Sequence, residues 1–350
     1  MKTYFTAALM ILLLFSCVRL PDPEPELPAT FLSSDGVFII NEGNFRLGNG
    51  ALSFLSYDSV KIFNDIFGKI NNRILGDVPN SMAYNGDNAY ILVNNSGKIE
   101  VVERNTMVSV ETIDGLNSPR QIAFTDNSKA YVTSMYSDSL TIIDLFDNSI
   151  SGYINIRRSS ESIVVVGQRA FVSEWVGGSE VMVINTLNNR VVDSIEVGAE
   201  PESMVVDRFN MVWVLCNGGW LRNNYAELVG INSTSFDIQK RLTFSDKLLS
   251  PTSLQINGRG DTLYYLESGV KSLSVYDSAL PASPVVPETG GHYFYKLGID
   301  PVSSHIFVTD AIDYQQKGLI LRYNSGGLFL SQYQTDILPG QMLFKYKQTE

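Results

Sequence analysis

Pro201-Glu202-Ser203-Met204 is one of seven related segments that return along the chain and decide its fold. The other clear copies are Pro79-Asn80-Ser81-Met82, Pro119-Arg120-Gln121-Ile122, Pro251-Thr252-Ser253-Leu254 and Pro339-Gly340-Gln341-Met342. Two degenerate copies begin at Ser160 and Phe294, so that the starts follow one another about every 40–50 residues. A period of this length with strand-like content is typical of a β-propeller, in which each repeat forms one blade.

Each repeat contains short apolar runs of the kind that form strands. About a dozen residues after each start comes an aromatic residue followed by apolar ones, as in Tyr131-Val132 and Phe171-Val172. Such residues favour strands because they pack well on a half-buried pleated surface. The next run ends in Asp or Asn, as in Ile142-Ile143-Asp144, where the side chain can bond the backbone of a tight turn. With a further run before the next start, the repeats predict four strands per blade.

The two ends of the chain predict how the ring closes. The last start supplies only a first strand, from Pro339 to Tyr346, whereas residues 37–63 read as second, third and fourth strands. Joining the two ends completes a seventh blade and removes the two free strand edges of an open ring. The predicted fold class is therefore all-β, a seven-bladed β-propeller over residues 35–350, with an irregular array of β-sandwiches as the alternative.

The first 34 residues predict export and lipid anchoring. Lys2 and the apolar run 7–15 form a secretion signal, because that run is shorter than the ~20 residues that span a bilayer. Leu14-Phe15-Ser16-Cys17 resembles the lipobox of bacterial lipoproteins, which implies a signal peptide at 1–16 and lipidation of Cys17. Residues 17–34, rich in Pro and acidic side chains, predict an extended tether. We expect an outer-membrane, surface-exposed lipoprotein. The alternatives are a periplasmic tether, or an ordinary signal peptide with a chance Cys.

The composition argues against several classes of function. A formal net charge of −11 and a pI near 4.8 argue against nucleic-acid binding, which requires clustered Lys and Arg. With Cys17 lipidated, Cys216 has no partner for an intrachain disulfide. The sequence has no Gly-rich phosphate loop, nucleophile elbow or zinc-ligand spacing. It predicts no enzyme, metal or cofactor. A calcium-assisted lactone hydrolase is the alternative, since Glu174, Glu267 and Asp310 share one register of different blades.

The loops at one face of the ring form the predicted ligand site. Loops that follow second strands and precede first strands emerge together, and five of the seven second-strand loops carry an aromatic residue near the strand end. Aromatic rings supply contact area, while amides and carboxylates orient a ligand. The loop 217–227 is the longest of these insertions, and long loops on a rigid scaffold are often functional. The candidate ligand-binding residues are Asn41, Glu42, Asn44, Phe45, Asn80, Asn94, Arg120, Tyr136, Glu161, Trp175, Glu202, Asn217, Trp220, Arg222, Glu267, Asp310 and Tyr314.

Two stretches resemble a known family. The segment from Ile195 to Met204 resembles the blade junction of YncE-like seven-bladed propellers. The stretch from Asn41 to Phe45, followed by that from Gly48 to Ser53, is similar to the opening of a group of surface lipoproteins that includes the cobalamin-capturing BtuG proteins. The resemblance spans nearly the whole mature chain, although the blades that begin at Ser160 and Phe294 depart from the Pro start.

The resemblance implies a corrinoid (vitamin B12-type) ligand and a TonB-dependent outer-membrane transporter as the partner. It supplies no individual contact residues, so the candidate residues above rest on their position in the loops. The competing hypothesis is a protein-interaction propeller without a small ligand, in which the same rim docks a partner protein.

Overall fold

Seven four-stranded antiparallel sheets form a closed ring in the computed structural model, which describes residues 26–28, 30–31, 33–126 and 128–347. The first strand of each blade lies at the centre, because these inner strands contact one another in a complete circle. The fourth strand of each blade lies at the outside. The predicted seven-bladed β-propeller is confirmed.

The strands follow the predicted repeats closely. Residues before the first complete repeat form β1 (Gly36–Asn41), β2 (Ala51–Ser56), β3 (Lys61–Phe63) and a helix, α1 (Ile66–Asn71). Blade 2 contains β4 (Pro79–Asn85), β5 (Asn88–Val93), β6 (Lys98–Glu103) and β7 (Ser109–Asp114). Blade 3 contains β8 (Pro119–Phe124), β9 (Lys129–Ser134), β10 (Ser139–Asp144) and β11 (Ser149–Asn155). Blade 4 contains β12 (Ser160–Val166), β13 (Arg169–Glu174), β14 (Glu180–Asn185) and β15 (Arg190–Glu196).

The remaining blades complete the ring. Blade 5 contains β16 (Pro201–Val206), β17 (Met211–Cys216), β18 (Glu227–Asn232) and β19 (Ile238–Thr243). Blade 6 contains β20 (Thr252–Ile256), β21 (Thr262–Leu266), β22 (Gly269–Ser274) and the two-residue β23 (Val286–Pro287). Blade 7 contains β24 (Phe294–Ile299), β25 (Ile306–Asp310), β26 (Lys317–Tyr323) and β27 (Phe329–Ile337). The last strand, β28 (Pro339–Lys345), pairs with β1 and closes blade 1 as predicted.

Every blade start contains a β-bulge. The register between the inner strand and its neighbour shifts at the start in all seven described blades, for example between Pro79 and Ser81. A bulge places an extra residue on one strand and redirects its side chain. The degenerate starts at Ser160 and Phe294 keep this geometry, so blades 4 and 7 do not depart from the others at this point. The second residue of each start is thereby set apart from the blade core.

The packing between blades forms the hydrophobic core. Aromatic and aliphatic residues of the second and third strands are fully buried, among them Tyr90, Tyr131, Phe171, Trp213 and Phe307. Cys216, at the end of β17, is also fully buried, and burial raises the pKa of its thiol to about 12. It is a small core residue and not a reactive thiolate.

The chain enters the ring on the face opposite the predicted ligand loops. Phe31, which the sequence places in the tether, is fully buried and packs edge-on against Phe38 and Phe54. The backbone N–H of Phe31 donates to the carbonyl of Asn105, in the turn between β6 and β7. Contacts with the ring therefore reach Phe31, before the predicted start of the propeller at Asp35. Cys17 and the signal segment lie outside the described residues, and within those residues we find no helix that could cross a membrane.

Candidate functional site

The bulged residues of the blade starts meet at one end of the central channel. A small cavity of about 100 Å³ lies there, which we call the channel mouth. Its lining includes the second or third residue of all seven starts: Asn80, Arg120, Glu161, Glu202, Ser253, Lys296 and Gln341. Glu42 and Tyr295 border it through contacts described below. With Glu42, five of the side chains at the mouth belong to Arg, Lys or Glu, so this end of the channel is a polar site.

An ion pair between neighbouring blades forms one side of the mouth. Arg120 Nε lies 2.7 Å from Glu161 Oε2, and Arg120 Nη2 lies 2.6 Å from Glu161 Oε1. Two parallel N–H···O bonds of this kind fix both side chains in orientation. The guanidinium also lies 5.8 Å from the ring of Trp175, which extends from the loop after β13. Trp175 is half-buried and belongs to the border of the mouth.

Glu42 reaches the mouth from the loop after β1 because blade 1 leaves room for it. The second residue of that blade's start is Gly340, and a Cβ there would lie 2.8 Å from Glu42 Oε1. Tyr295 occupies the equivalent position of blade 7, and its hydroxyl donates to Glu42 Oε1 over 3.0 Å. The Tyr295 ring packs edge-on against Tyr314, with centroids 5.9 Å apart. These contacts place one carboxylate and two tyrosines on the side opposite Trp175.

Lys296 and Glu202 complete the charged lining. Their charged atoms lie 3.9 Å apart, which is an ion pair without a direct hydrogen bond. Glu202 Oε2 accepts the backbone N–H of Ser253 over 2.9 Å. The Ser253 hydroxyl is buried and has no hydrogen-bond partner among the described residues. An ammonium with loosely held donors and an unpaired hydroxyl can therefore bond a polar group that enters the mouth.

The mouth holds three carboxylates against two cations. Burial raises the pKa of Glu42, and nearby Lys296 and Arg120 oppose that rise. Burial lowers the pKa of the Arg120 guanidinium, but the charge and the hydrogen bonds of Glu161 raise it by more, so the net shift is upward. Burial and the neighbouring Glu42 together raise the pKa of Tyr295, whose hydroxyl remains a proton donor. The site presents both signs of charge and suits a neutral polar group better than a simple ion.

Replacement of Glu42 by Gln is expected to stabilise the protein at alkaline pH. The raised pKa means that ionised Glu42 is less favourable in the folded chain than in the unfolded chain. Below the ordinary Glu pKa, Glu42 is protonated in the folded and in the unfolded chain, and its contribution to the free energy of unfolding is fully present. That contribution is lost as the pH rises through the pKa of Glu42 in the folded chain. Thermal unfolding of E42Q and wild type should therefore differ at about pH 8 and converge at about pH 4.

The matched control is Glu111→Gln, an exposed carboxylate on β7 far from the mouth. The difference in thermal unfolding between Glu111→Gln and wild type should be the same at both pH values. A stabilisation of E42Q that persists unchanged in acid would contradict the assignment of the effect to ionised Glu42.

The other predicted aromatic loop residues lie on the same face of the ring as the mouth. Phe45, Tyr136, Trp220 and Tyr314 are exposed, and Trp220 is 82% exposed. The Asn44 amide donates to the Tyr314 carbonyl and ties the loops of blades 1 and 7 together. None of the five predicted aromatics folds back into a blade core. The opposite face also carries exposed apolar residues, Phe146 at 96% among them.

Several predicted site residues are used inside the scaffold instead. Asn41 is fully buried and donates to Ser53 Oγ over 2.9 Å. Asn94 is buried and links blade 2 to blade 3 through the Pro119 carbonyl. Asn217 accepts the Gly219 N–H and shapes its loop. These side-chain amides form hydrogen bonds within the scaffold, to buried groups or to the backbone of a turn, and are therefore engaged before any ligand arrives. Arg222 is half-buried in the same loop, and its Nη1 has no partner among the described residues.

The three carboxylates predicted as a possible calcium set do not converge. Glu174 pairs with Arg158 at 2.7 Å and accepts the Ser179 N–H. Asp310 binds His292 Nδ1 at 2.7 Å. Glu267 is half-buried beside Lys271, at 3.6 Å. Each carboxylate has a side-chain partner of its own, and the described residues hold no group of three or more acidic, His or Cys side chains placed to bind a metal.

Sequence reasoning missed Tyr295, Lys296, Ser253 and Gln341. All four occupy the second or third position of a blade start, the positions that supplied Asn80, Arg120, Glu161 and Glu202. Aligning the degenerate start at Phe294 with the others would have assigned Tyr295 and Lys296 to the mouth. The signal was present in the repeat register and was weakened by the loss of the starting Pro.

Comparison with known proteins agrees with the fold. The family described as "Domain of unknown function (DUF5074)" matches residues 35–336. No curated protein matches the sequence. A quinonprotein alcohol dehydrogenase-like protein from Bacteroides thetaiotaomicron superposes with a TM-score of 0.71 at 14% identity, over 90% of this chain and 79% of that one.

Two further solved structures are similar. A functionally unknown protein from Desulfotomaculum acetoxidans has a TM-score of 0.70 at 13% identity, over 90% of this chain and 100% of its own. A 6-phosphogluconolactonase-like protein from Bacteroides fragilis has a TM-score of 0.68 at 12% identity, over 91% of this chain and 100% of its own. At these identities the likeness concerns the propeller fold alone.

Proposed function

The chain belongs to the DUF5074 family, and from that premise we propose that it is a non-enzymatic binding protein that captures a corrinoid at its channel mouth. It delivers this ligand to a TonB-dependent outer-membrane transporter. The observation that carries the proposal is the convergence of the bulged blade starts on a polar cavity bordered by Trp175 and Tyr314. A cavity of mixed charge inside an aromatic border is the arrangement expected of a recognition site for a polar molecule.

The chemistry of the mouth matches that of a corrinoid. A corrin presents a broad face edged with amides, and an amide both donates and accepts hydrogen bonds. Glu42 and Glu202 supply acceptors, and Lys296 supplies donors. The formal net charge of −11 disfavours a strongly anionic ligand through long-range repulsion. A large, neutral molecule edged with amides meets these conditions if one edge enters the cavity of about 100 Å³ and its broad face lies over the aromatic border.

The course of the chain fits capture of a ligand from the side that faces away from the membrane. The tether joins the ring on the face opposite the mouth, where Phe31 packs into the core beside the turn at Asn105. A lipid on Cys17 would then hold the protein by that opposite face and leave the loop face directed away from the membrane. Lipidation, surface exposure and the signal segment remain predictions, because residues 1–25 lie outside the described chain.

The test is binding of cyanocobalamin and cobinamide to the full-length protein in detergent micelles, measured by calorimetry. Truncation at Asp35 would remove Phe31 from the core and is avoided. Trp175→Ala is expected to weaken corrinoid binding about tenfold or more, because it removes both ring area and the contact with Arg120. Lys296→Met should weaken it similarly by removing a donor.

Phe146→Ala is the matched control, since that aromatic residue is exposed on the opposite face and should leave affinity unchanged. Absence of binding at micromolar corrinoid would overturn the ligand assignment. Tight binding with equal affinity in Trp175→Ala, Lys296→Met and wild type would instead place the site elsewhere on the molecule.

A protein-interaction propeller is the second candidate, and one observation favours it. The loop face exposes aliphatic side chains at Leu47, Ile74, Val176 and Leu221 beside its aromatic residues. Exposed apolar groups of this kind suit contact with a protein surface. A stable complex with an outer-membrane barrel in corrinoid-free extracts, lost on replacement of Leu47 and Ile74 by Ser, would favour docking over capture.

A further inference from the structure

We propose that a second site, separate from the channel mouth, binds a neutral oligosaccharide in the cleft between blades 4 and 5. This lateral cleft has a volume of about 580 Å³ and opens on the same face as the mouth. It lies between the loop after β13, the connection from β15 to β16, and the loop after β17. The volume falls within the range of small-molecule sites and accommodates a short sugar chain. The proposal does not rest on corrinoid capture.

One wall of the lateral cleft is aromatic. Trp220 is 82% exposed, and Leu221 and Tyr225 stand beside it in the same loop. A fully accessible indole loses solvent-exposed apolar area when a flat, partly apolar molecule lies on it. The face of a pyranose ring that carries axial C–H bonds is such a surface. Lys247 already lies 5.2 Å from the Tyr225 ring, so Trp220 is the platform that remains open.

The floor of the cleft is backbone rather than side chain. Gly218 and Gly219 adopt φ values of 86° and 83°, a region that favours glycine, and both line the cleft. Their conformation folds the loop back and keeps the space in front of Trp220 free of β-carbons. Gly177, on the facing loop, donates its N–H to Glu200 Oε1 over 3.3 Å and holds the second wall in place.

The polar groups of the cleft suit hydroxyls better than charges. Arg241 is paired with Glu227, so neither presents a free charge to a ligand. Asn223 and Asn224 supply amides, and Glu196 and Glu200 supply carboxylate acceptors. The remaining charge is negative, which disfavours phosphorylated or acidic sugars. Amides and carboxylates beside an aromatic platform bond vicinal hydroxyls in pairs, and a neutral sugar therefore fits all the groups present.

The experiment is saturation-transfer NMR of the full-length protein with maltotriose, cellotriose, mannotriose and trilysine as separate probes. At least one neutral trisaccharide is expected to receive saturation through its ring protons, with affinity reduced about tenfold or more in Trp220→Ala and partly kept in Trp220→Phe. Tyr136→Ala, which removes an exposed aromatic of the same face in blade 3, should leave binding unchanged.

Each other outcome overturns the proposal. No saturation of any trisaccharide removes the sugar assignment, and binding of trilysine alone makes the lateral cleft a site for basic peptides. Equal loss of binding in Tyr136→Ala and Trp220→Ala would place the sugar elsewhere on the loop face. Cyanocobalamin binding is measured in parallel. If Trp220→Ala abolishes corrinoid and sugar binding together, the lateral cleft is part of the central site and not a second one.

Discussion

Replacement of Arg120 by Met is expected to lower the free energy of unfolding by about 3–5 kcal/mol, because it leaves a buried carboxylate without its partner. The side chains of Arg120 and Glu161 are only 15% and 8% exposed, and two hydrogen bonds of 2.6 and 2.7 Å join them. In the variant, Glu161, Glu202 and Glu42 would face Lys296 as the one remaining cation of the mouth. Urea unfolding followed by Trp fluorescence measures the loss.

The double variant Arg120→Met/Glu161→Met is the decisive control. Replacing both members of a buried ion pair by apolar residues of similar size is often neutral, so most of the lost stability should return. If the double variant is as unstable as Arg120→Met, the cost arises from packing around Trp175 and not from the unpaired carboxylate. A refolded double variant that has lost corrinoid affinity would separate the binding role of this pair from its structural role.

The fold was predictable because the repeat period, the strand patterns and the two ends of the chain all indicate the same architecture. The starts set the period, the aromatic runs set the second strands, and the unpaired first strand at Pro339 requires the N-terminal strands to complete it. The short helix α1 was not predicted, because six residues give too few turns to show a helical period. Phe31 was placed in the tether because one aromatic residue in a Pro-rich stretch has no pattern around it; its burial depends on space between Phe38 and Phe54.

The candidate site was predictable only in part. The repeat register brings Arg120, Glu161 and Glu202 to one end of the channel, but it does not reveal which side chains pair. That depends on the bulge and on contacts between neighbouring blades. The register also assigned Asn41, Asn94 and Asp310 to the surface, since all three end a second strand or follow it. The structure uses them to satisfy buried groups beneath the loops, a distinction that depends on loop conformation.

Replacement of Trp213 by Ala is expected to cost about 3–5 kcal/mol of unfolding free energy and to loosen both candidate sites. Trp213 is fully buried in β17, opposite Val205 on β16 and Gly230 on β18. The same two neighbouring strands carry the mouth residue Glu202 and the lateral-cleft residue Glu227. Its removal leaves a cavity in blade 5 and breaks the 2.9 Å bond from the indole Nε1 to Asp207. The partners Phe209 and Met211 keep Asp207 in place through their backbone N–H groups.

Trp213→Phe separates the two parts of this cost. Phe retains most of the ring volume but cannot donate to Asp207. The free energy of unfolding of Trp213→Phe should therefore fall only by the value of one buried hydrogen bond, about 1–3 kcal/mol. The urea midpoints should therefore rank wild type above Trp213→Phe and Trp213→Phe above Trp213→Ala. Equal midpoints for the two variants would show that the Asp207 bond, and not the packing of blade 5, determines stability. Because β17 carries the loop with Trp220, affinity at the lateral cleft should fall with the midpoint in Trp213→Ala but not in Trp213→Phe.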